Sequence, residues 1–355
     1  MKTLSVFDIA PTKENPRSSE GAFLRRKDGS IILIYSRFTA GAGDEAESQI
    51  AMYVTRDNGM TWGEHRILFN TRDFEGAENI MSVSLLRMRD DAIGLFFLIR
   101  YSYADMRIHL FRSYDEGETW SAPICCLPHS GYFVTNNDRI IRTSTGRLLI
   151  PGNLHICKRD VKYAHEEDAF TYHGLGYFFH SDDDGKTWME NNDFCRSPFA
   201  RSGTGLQETG VIELRPGVIM AYFRTDLGMQ YAAYSHDDGD TWSPVEPLIY
   251  FTSPESPMKI ERLDDGRLLA VWNPVPHFTG RSGNWDTFRS PLAAAFSCDN
   301  GKSWQDFEYL ETDPDSGYSY PAVFNEGNLL ILGYCAGSRA DGGNANRLRI
   351  RTVLL

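Results

Sequence analysis

No window of this sequence approaches 18 consecutive apolar residues, which excludes a membrane-spanning helix. Helical periodicity is nearly absent too, so strands must carry the core. The six cysteines (Cys125, Cys126, Cys157, Cys195, Cys298 and Cys335) show no C-x-x-C pairing and are too sparse for a stapled secreted domain. They read as reduced thiols. The N-terminus, MKTLSVFDIAPTKENPR, lacks the apolar run of a signal peptide, so the chain as written reads as cytoplasmic, or as secreted or periplasmic if a leader once preceded it. There is no basic stripe, and the net charge of −12 argues against nucleic acid as a partner. Nine scattered histidines form neither H-E-x-x-H nor a zinc spacing, so no metal and no cofactor is expected. The phosphate-binding loop and the G-x-S-x-G elbow are also missing, which leaves nucleotide hydrolysis and serine-type acyl transfer unsupported.

What is present is a repeat. Thr55-Arg-Asp57-Asn-Gly59-Met-Thr61-Trp62 recurs at Ser113 to Trp120, Ser181 to Trp188, Ser235 to Trp242 and Ser297 to Trp304, at intervals of 58, 68, 54 and 62 residues. The pattern S/T-x-D-x-G-x-T/S-W takes up five of the seven tryptophans. Its physics is that of a hairpin turn: the Asp carboxylate accepts backbone N–H groups, Gly supplies a positive φ, and the Trp plugs the blade. In the third copy, Asp182-Asp183-Asp184-Gly185 superficially resembles a calcium loop, but lacks its position-12 Glu and fits the turn better.

A second repeat lies upstream of each turn: an apolar strand, a D/N-G-like turn and another apolar strand. It occurs six times, from Ala22 to Ile34, Ser82 to Phe97, Arg139 to Ile150, Thr209 to Tyr222, Met258 to Ala270 and Tyr320 to Leu332. Six inner hairpins with five outer turns predict an all-β, six-bladed β-propeller. It is one domain over residues 1–355, its last blade closed by pairing Ser5–Ile9 with Leu348–Leu355.

The five turns resemble the Asp boxes of the sialidase (neuraminidase) superfamily of BNR-repeat proteins, and the resemblance covers essentially the whole chain. The family's site lies at the propeller centre, with three arginines for a substrate carboxylate, a Tyr nucleophile assisted by Glu, and an Asp as acid/base. Gln207-Glu208-Thr209-Gly210, followed by Tyr222-Phe223-Arg224, is similar to the segment of the Glu and the second arginine. Arg289-Ser290-Pro291-Leu292 resembles that of the third arginine, and Gly317-Tyr318-Ser319 that of the nucleophile. The resemblance assigns the acid/base to the glycine-rich loop Phe38–Ser48, where Asp44 matches best and Glu45 and Glu47 compete.

At the first arginine the alignment puts Ser19-Glu20-Gly21, with Arg17 and Arg139 as substitutes. Replacing a cation by an anion matters, since a charge pair at 4 Å is worth roughly 4 kcal/mol at an effective dielectric of ~20. The catalytic set is therefore Tyr318, Glu208 and Asp44. The substrate-binding set is Arg224, Arg289, Arg139, Asp138, Asn137, Glu20, Arg17, Arg37 and Glu255. The resemblance implies an exo-acting retaining glycoside hydrolase acting on a glycan or small sugar, sialic or other. Two alternatives stand beside it: a true exo-α-sialidase with a substituted arginine triad, and a non-catalytic carbohydrate-binding propeller. No oligomeric state follows.

Overall fold

The computed structural model describes residues 1–158, 164–275 and 289–355. It is all-β, with only single-turn 3₁₀ helices among the described residues. Strand β1 (Lys2–Ile9) opens the chain. The first four-stranded antiparallel sheet follows: β2 (Arg17–Arg25), β3 (Ile31–Phe38), β4 (Ser48–Thr55) and β5 (Gly63–Asn70). A nine-stranded sheet comes next. It consists of β6 (Asn79–Arg87), β7 (Ile93–Ser102), β8 (Asp105–Ser113) and β9 (Ile124–Cys125), then β10 (Tyr132–Val134), then β11 (Ile141–Arg142), β12 (Leu148–His155), β13 (Gly174–Ser181) and β14 (Met189–Glu190). Strand β10 pairs with both β8 and β12, joining what are otherwise two four-stranded units.

The fourth unit is β15 (Gln207–Arg215), β16 (Val218–Arg224), β17 (Met229–Ser235) and β18 (Glu246–Thr252). The fifth is β19 (Lys259–Arg262), β20 (Leu268–Trp272), β21 (Leu292–Ser297) and β22 (Gln305–Glu311). In the sixth, β23 (Ser319–Glu326), β24 (Leu329–Cys335) and β25 (Leu348–Leu354) are completed by β1, whose Ile9 sits opposite Leu348. The expected pairing of the two chain ends is what the structure contains, and Arg349 clamps it through two 2.8 Å bonds to Asp8.

Burial explains why each unit reads as it does. Strand β3 is buried along nearly its whole length and carries the unbroken run Ile31-Ile32-Leu33-Ile34, whereas the outer β5 and β22 are mostly exposed and polar. The S/T-x-D-x-G-x-T/S-W turns join the third strand of a unit to its fourth. In the first, Thr61 donates to Asp57 from its backbone N–H (2.9 Å) and its hydroxyl (2.6 Å), while Gly59 N–H donates to Thr55 Oγ1 (2.9 Å). Gly59 has φ +84°, and a Cβ there would stand 2.6 Å from Thr352 Oγ1 of the sixth unit, so no other residue fits.

The tryptophans do more than plug their own unit. Trp242 stacks on Phe178 of the preceding unit at 4.0 Å, Trp304 meets Phe251 at 4.9 Å, and Trp188 meets Phe96 at 6.3 Å. The first two seal seams between separate sheets, and Trp188 packs between the two units of the nine-stranded sheet, each a large apolar contribution.

These turns carry a pH signature. Thr61 holds the Asp57 carboxyl down to about 2 through its hydroxyl and N–H, and Ser303 does the same for Asp299, also about 2. A carboxylate lowered in the folded chain contributes stability above its unfolded value of 3.8 and loses it as pH falls toward 2. The double variant Asp57→Asn/Asp299→Asn is therefore expected to be less stable than wild type at pH 7. The gap should narrow between about pH 4 and pH 2 in urea titrations followed by tryptophan emission.

Candidate active site

Five residues at the heads of inner strands have left-handed backbone: Glu20 (φ 55°), Ser82 (φ 64°), Asp138 (φ 56°), Glu208 (φ 49°) and Tyr320 (φ 56°). Four of them sit where the register slips, between Ser19 and Ala22, Met81 and Ser84, Gln207 and Gly210, and Ser319 and Ala322. A β-bulge bends its strand and re-aims one side chain, at a local cost of roughly 1–3 kcal/mol for a non-glycine residue with positive φ. Here the bulges in the fourth and sixth units bring Glu208 and Tyr320 together.

Tyr320 Oη donates to Glu208 Oε1 at 2.9 Å. Arg224 Nη1 pairs with Glu208 Oε2 at 2.9 Å, and the Arg289 guanidinium lies 5.4 Å from the Tyr320 ring centroid. Arg289 in turn donates to the Glu255 carbonyl at 3.1 Å, and Arg224 reaches the Glu255 carboxylate at 3.7 Å. Burial pushes the Glu208 carboxyl up, but Arg224 and Arg289 outweigh it and hold the group below the usual carboxylate range. Burial, and then Glu208, push the Tyr320 phenol well above its ordinary value. At rest the pair is therefore a neutral phenol donating to a carboxylate.

Arg17 stands across from this pair at the head of β2. It donates to Glu20 Oε1 at 3.0 Å and to Asp44 Oδ1 at 2.5 Å, with its guanidinium 4.3 Å from the Phe38 ring centroid. Glu20 lies beneath it, 1% exposed, and accepts a further bond from Ser82 Oγ. Burial raises the Glu20 carboxyl to about 7 in spite of Arg17. Asp44 stands at the mouth. Desolvation opposes its ionisation, but Arg17 prevails and keeps it below the usual range.

Together these groups open on a cavity of about 570 Å³, within the range of small-molecule sites. Of the residues singled out in the sequence, Arg17, Asp44, Glu208, Arg224, Glu255 and Arg289 line it. Arg17 lines the cavity, so a cation is present three residues before the bulge at Glu20, where the alignment had put Ser19-Glu20-Gly21.

Other expectations are corrected. Tyr318 does not reach the cavity: its ring is 2% exposed and packs against Tyr334 in the apolar core of the fifth and sixth units. The left-handed turn at Tyr320 breaks strand alternation, so residues two apart no longer share a face. Arg139, Asp138, Asn137 and Arg37 do not line the cavity either. Arg139 donates to Tyr222 Oη (2.9 Å), Asp138 pairs with Lys259 (2.9 Å) and accepts from Val323 N–H (3.0 Å), and Arg37 donates to Gln49 (2.6 Å). Asn137 donates to the Gly21 and Tyr320 carbonyls at 2.9 and 3.2 Å, tying the first and sixth units together under the site. Glu20 supports Arg17 from below.

Sequence reasoning also missed Arg100, which anchors the loop that carries Asp44 by donating to the Glu45 carbonyl at 2.9 Å, and a wall of Tyr103, Tyr132, Phe170 and Tyr172 with His155. The nucleophile candidate had a usable signal: Ser19-Glu20-Gly21-Ala22, Gln207-Glu208-Thr209-Gly210 and Ser319-Tyr320-Pro321-Ala322 occupy equivalent places in their repeats. The aromatic wall had none, since its rings come from distant segments. Among the described residues no group of three or more His, Cys, Asp or Glu is placed to hold a metal.

The all-β scaffold of four-stranded units thus carries one cavity lined by arginines and carboxylates. Residues 33–333 match the BNR repeat-like domain family, and the chain belongs to it, within the sialidase superfamily. It is 32% identical over 340 residues to a Bacteroides fragilis sialidase, covering 86% of this chain and 57% of that protein, so it spans little more than half that relative's length. Among solved structures it is similar to a protein of unknown function from Dyadobacter fermentans, at 16% identity and a TM-score of 0.73, covering 100% of this chain and 99% of that one. A Hadza microbial sialidase superposes with a TM-score of 0.71 at 18% identity, over 96% of this chain and 66% of that one. Among the described residues no helix is long and apolar enough to cross a membrane.

Glu20 offers a check on this electrostatic arrangement. A carboxyl whose folded value is raised to about 7 favours folding below the unfolded value of 4.5 and loses that contribution as pH rises through 7. Thermal melts of Glu20→Gln and wild type from pH 4.5 to 8 are expected to shift in favour of the variant with rising pH.

Proposed function

We propose that the six units form a six-bladed β-propeller, a single domain over residues 1–355, and that this chain is an exo-acting retaining glycoside hydrolase for α-linked sugars bearing a carboxylate, as in a sialoside. The observation that carries the reading is the 2.9 Å bond from Tyr320 to Glu208, in a cavity also lined by Arg17, Arg224 and Arg289. Guanidiniums gathered on one cavity suit a carboxylate, which they bind by charge-assisted, often bidentate hydrogen bonds. The family relationship supports the same class of chemistry, as does the similarity to the Bacteroides fragilis sialidase.

In this mechanism the Tyr320 oxygen attacks the anomeric carbon as Glu208 takes the phenolic proton, while Asp44 gives a proton to the departing glycosidic oxygen. The bond to the aglycone breaks as the bond to Tyr320 forms. Water then attacks the same carbon, Asp44 takes its proton, and the Tyr320 oxygen leaves and recovers its proton from Glu208. Two displacements at one centre give net retention. Asp44 is bonded to Arg17, and a substrate carboxylate competes for that guanidinium. Its arrival frees Asp44 and lets its pKa rise toward that of an acid catalyst. The support is the Asp44 to Arg17 bond itself, together with the glycine-flanked loop that carries it.

The test is hydrolysis of 4-methylumbelliferyl α-N-acetylneuraminide, with uronide and neutral glycosides alongside. Tyr320→Phe and Glu208→Gln are expected to lose turnover by about 10³-fold, and Tyr318→Phe to stay within about threefold of wild type. Proton NMR should detect the α-anomer as the first released sugar. Sugar binding without release from any glycoside would replace this reading with a binding module; full activity in Tyr320→Phe would reject the nucleophile.

A further inference from the structure

One ring on the cavity wall takes no part in this chemistry. His155 ends β12, paired with Tyr132 of β10 on one side and Gly174 of β13 on the other, and is 3% exposed. Its imidazole packs against Phe170 at 4.8 Å and edge-on to Tyr132 at 6.2 Å. Gly174 allows this fit, since a Cβ there would stand 3.3 Å from His155 Cε1 and 2.3 Å from the Leu206 carbonyl oxygen. The ring plane is thereby set by its neighbours.

The tautomer is set as well. Nδ1 lies 2.9 Å from the Thr171 carbonyl oxygen, which can only accept, so Nδ1 carries the hydrogen. Nε2 must then present a lone pair, and it meets no protein partner among the described residues while the ring lines the cavity. Burial, opposed by the Thr171 bond, lowers the imidazole to about 4, which keeps it neutral near pH 7. The Glu208 carboxylate is occupied by Tyr320 and Arg224, and that of Asp44 by Arg17. His155 Nε2 is an uncharged acceptor standing ready in a cavity rich in cationic donors.

We propose that His155 is a specificity-determining residue whose Nε2 accepts a hydrogen bond from one neutral O–H or N–H donor of the bound sugar. The assignment rests on the reading of the cavity as a sialoside site and deepens it. The arginines select the anionic end of the substrate, and His155 reads a neutral group on the side of the aromatic wall. A ligand lacking that donor leaves Nε2 buried and unpaired, so discrimination comes from the penalty on the wrong ligand as much as from attraction to the right one.

The test is a chemical double-mutant cycle. Wild type, His155→Phe and His155→Gln are assayed on 4-methylumbelliferyl α-N-acetylneuraminide and on analogues each missing one hydroxyl, or missing the C5 amide. His155→Phe is expected to raise KM about tenfold on the parent with kcat within about threefold, and to have no effect on the one analogue that lacks the donor. Which analogue that is tells hydroxyl from amide. Gln keeps a neutral acceptor and should recover part of the loss. A KM unchanged on the parent, or raised by the same factor on every analogue, would overturn the assignment, the latter because a merely structural role acts on all substrates alike.

A ¹⁵N spectrum of histidine-labelled, ligand-free protein decides the premise separately. A protonated Nδ1 with a bare Nε2 supports the assignment, and the opposite tautomer rejects it. Wild type that releases nothing from the parent glycoside would instead overturn the sialoside reading, an outcome distinct from either failure.

Discussion

The site depends on a backbone constraint: the inner strands turn left-handed for one residue where they approach the centre of the molecule. At these bulges the side chain leaves the alternation of the sheet, and Glu20, Glu208 and Tyr320 owe their positions to it. The conformation is unfavourable for residues with a Cβ, so it persists only because surrounding bonds over-determine it. Asn137 supplies two of these by donating to the carbonyls of Gly21 and Tyr320, and Asp138 another by accepting from Val323. Residues outside the cavity lining thus hold the bulges that carry Glu20 and Tyr320 in place.

Charge is the second constraint. Burying an ion without a partner costs several kcal/mol, so each arginine of the cavity comes with an acceptor: Glu20 and Asp44 for Arg17, Glu78 and the Glu45 carbonyl for Arg100, Glu208 for Arg224, and the Glu255 carbonyl for Arg289. The site is therefore internally compensated. An incoming anion would have to displace existing pairs, and of the carboxylates in them Asp44 is the exposed one. Glu208 and Tyr320 stand on bulged strands between neighbouring sheets, whose seams are filled by the turn tryptophans.

Much of this was legible beforehand. The turn motif, the hairpins and the closing pair of chain ends follow from spacing and alternation, because such signals are local: a Gly with positive φ, an Asp collecting N–H donors and a buried strand each declare themselves within a dozen residues. Glu208, Arg224, Arg289 and Asp44 were legible for a related reason, since they stand at fixed distances from those local landmarks. Tyr318 misled because alternation gives Tyr318 and Tyr320 the same face, and only the bulge separates one into the core and the other into the cavity.

The repeats, the strands and the chemical types available at the centre were determined by the sequence itself, through short-range backbone preferences and hydrophobic pattern. Tertiary structure alone decided which tyrosine meets Glu208, that Arg17 and Arg100 rather than Arg139 join Arg224 and Arg289 on the cavity, and that His155 faces it. Each of these is a relation between side chains on different units, and such relations are set by how bulged strands meet across the centre, which no spacing along one chain encodes.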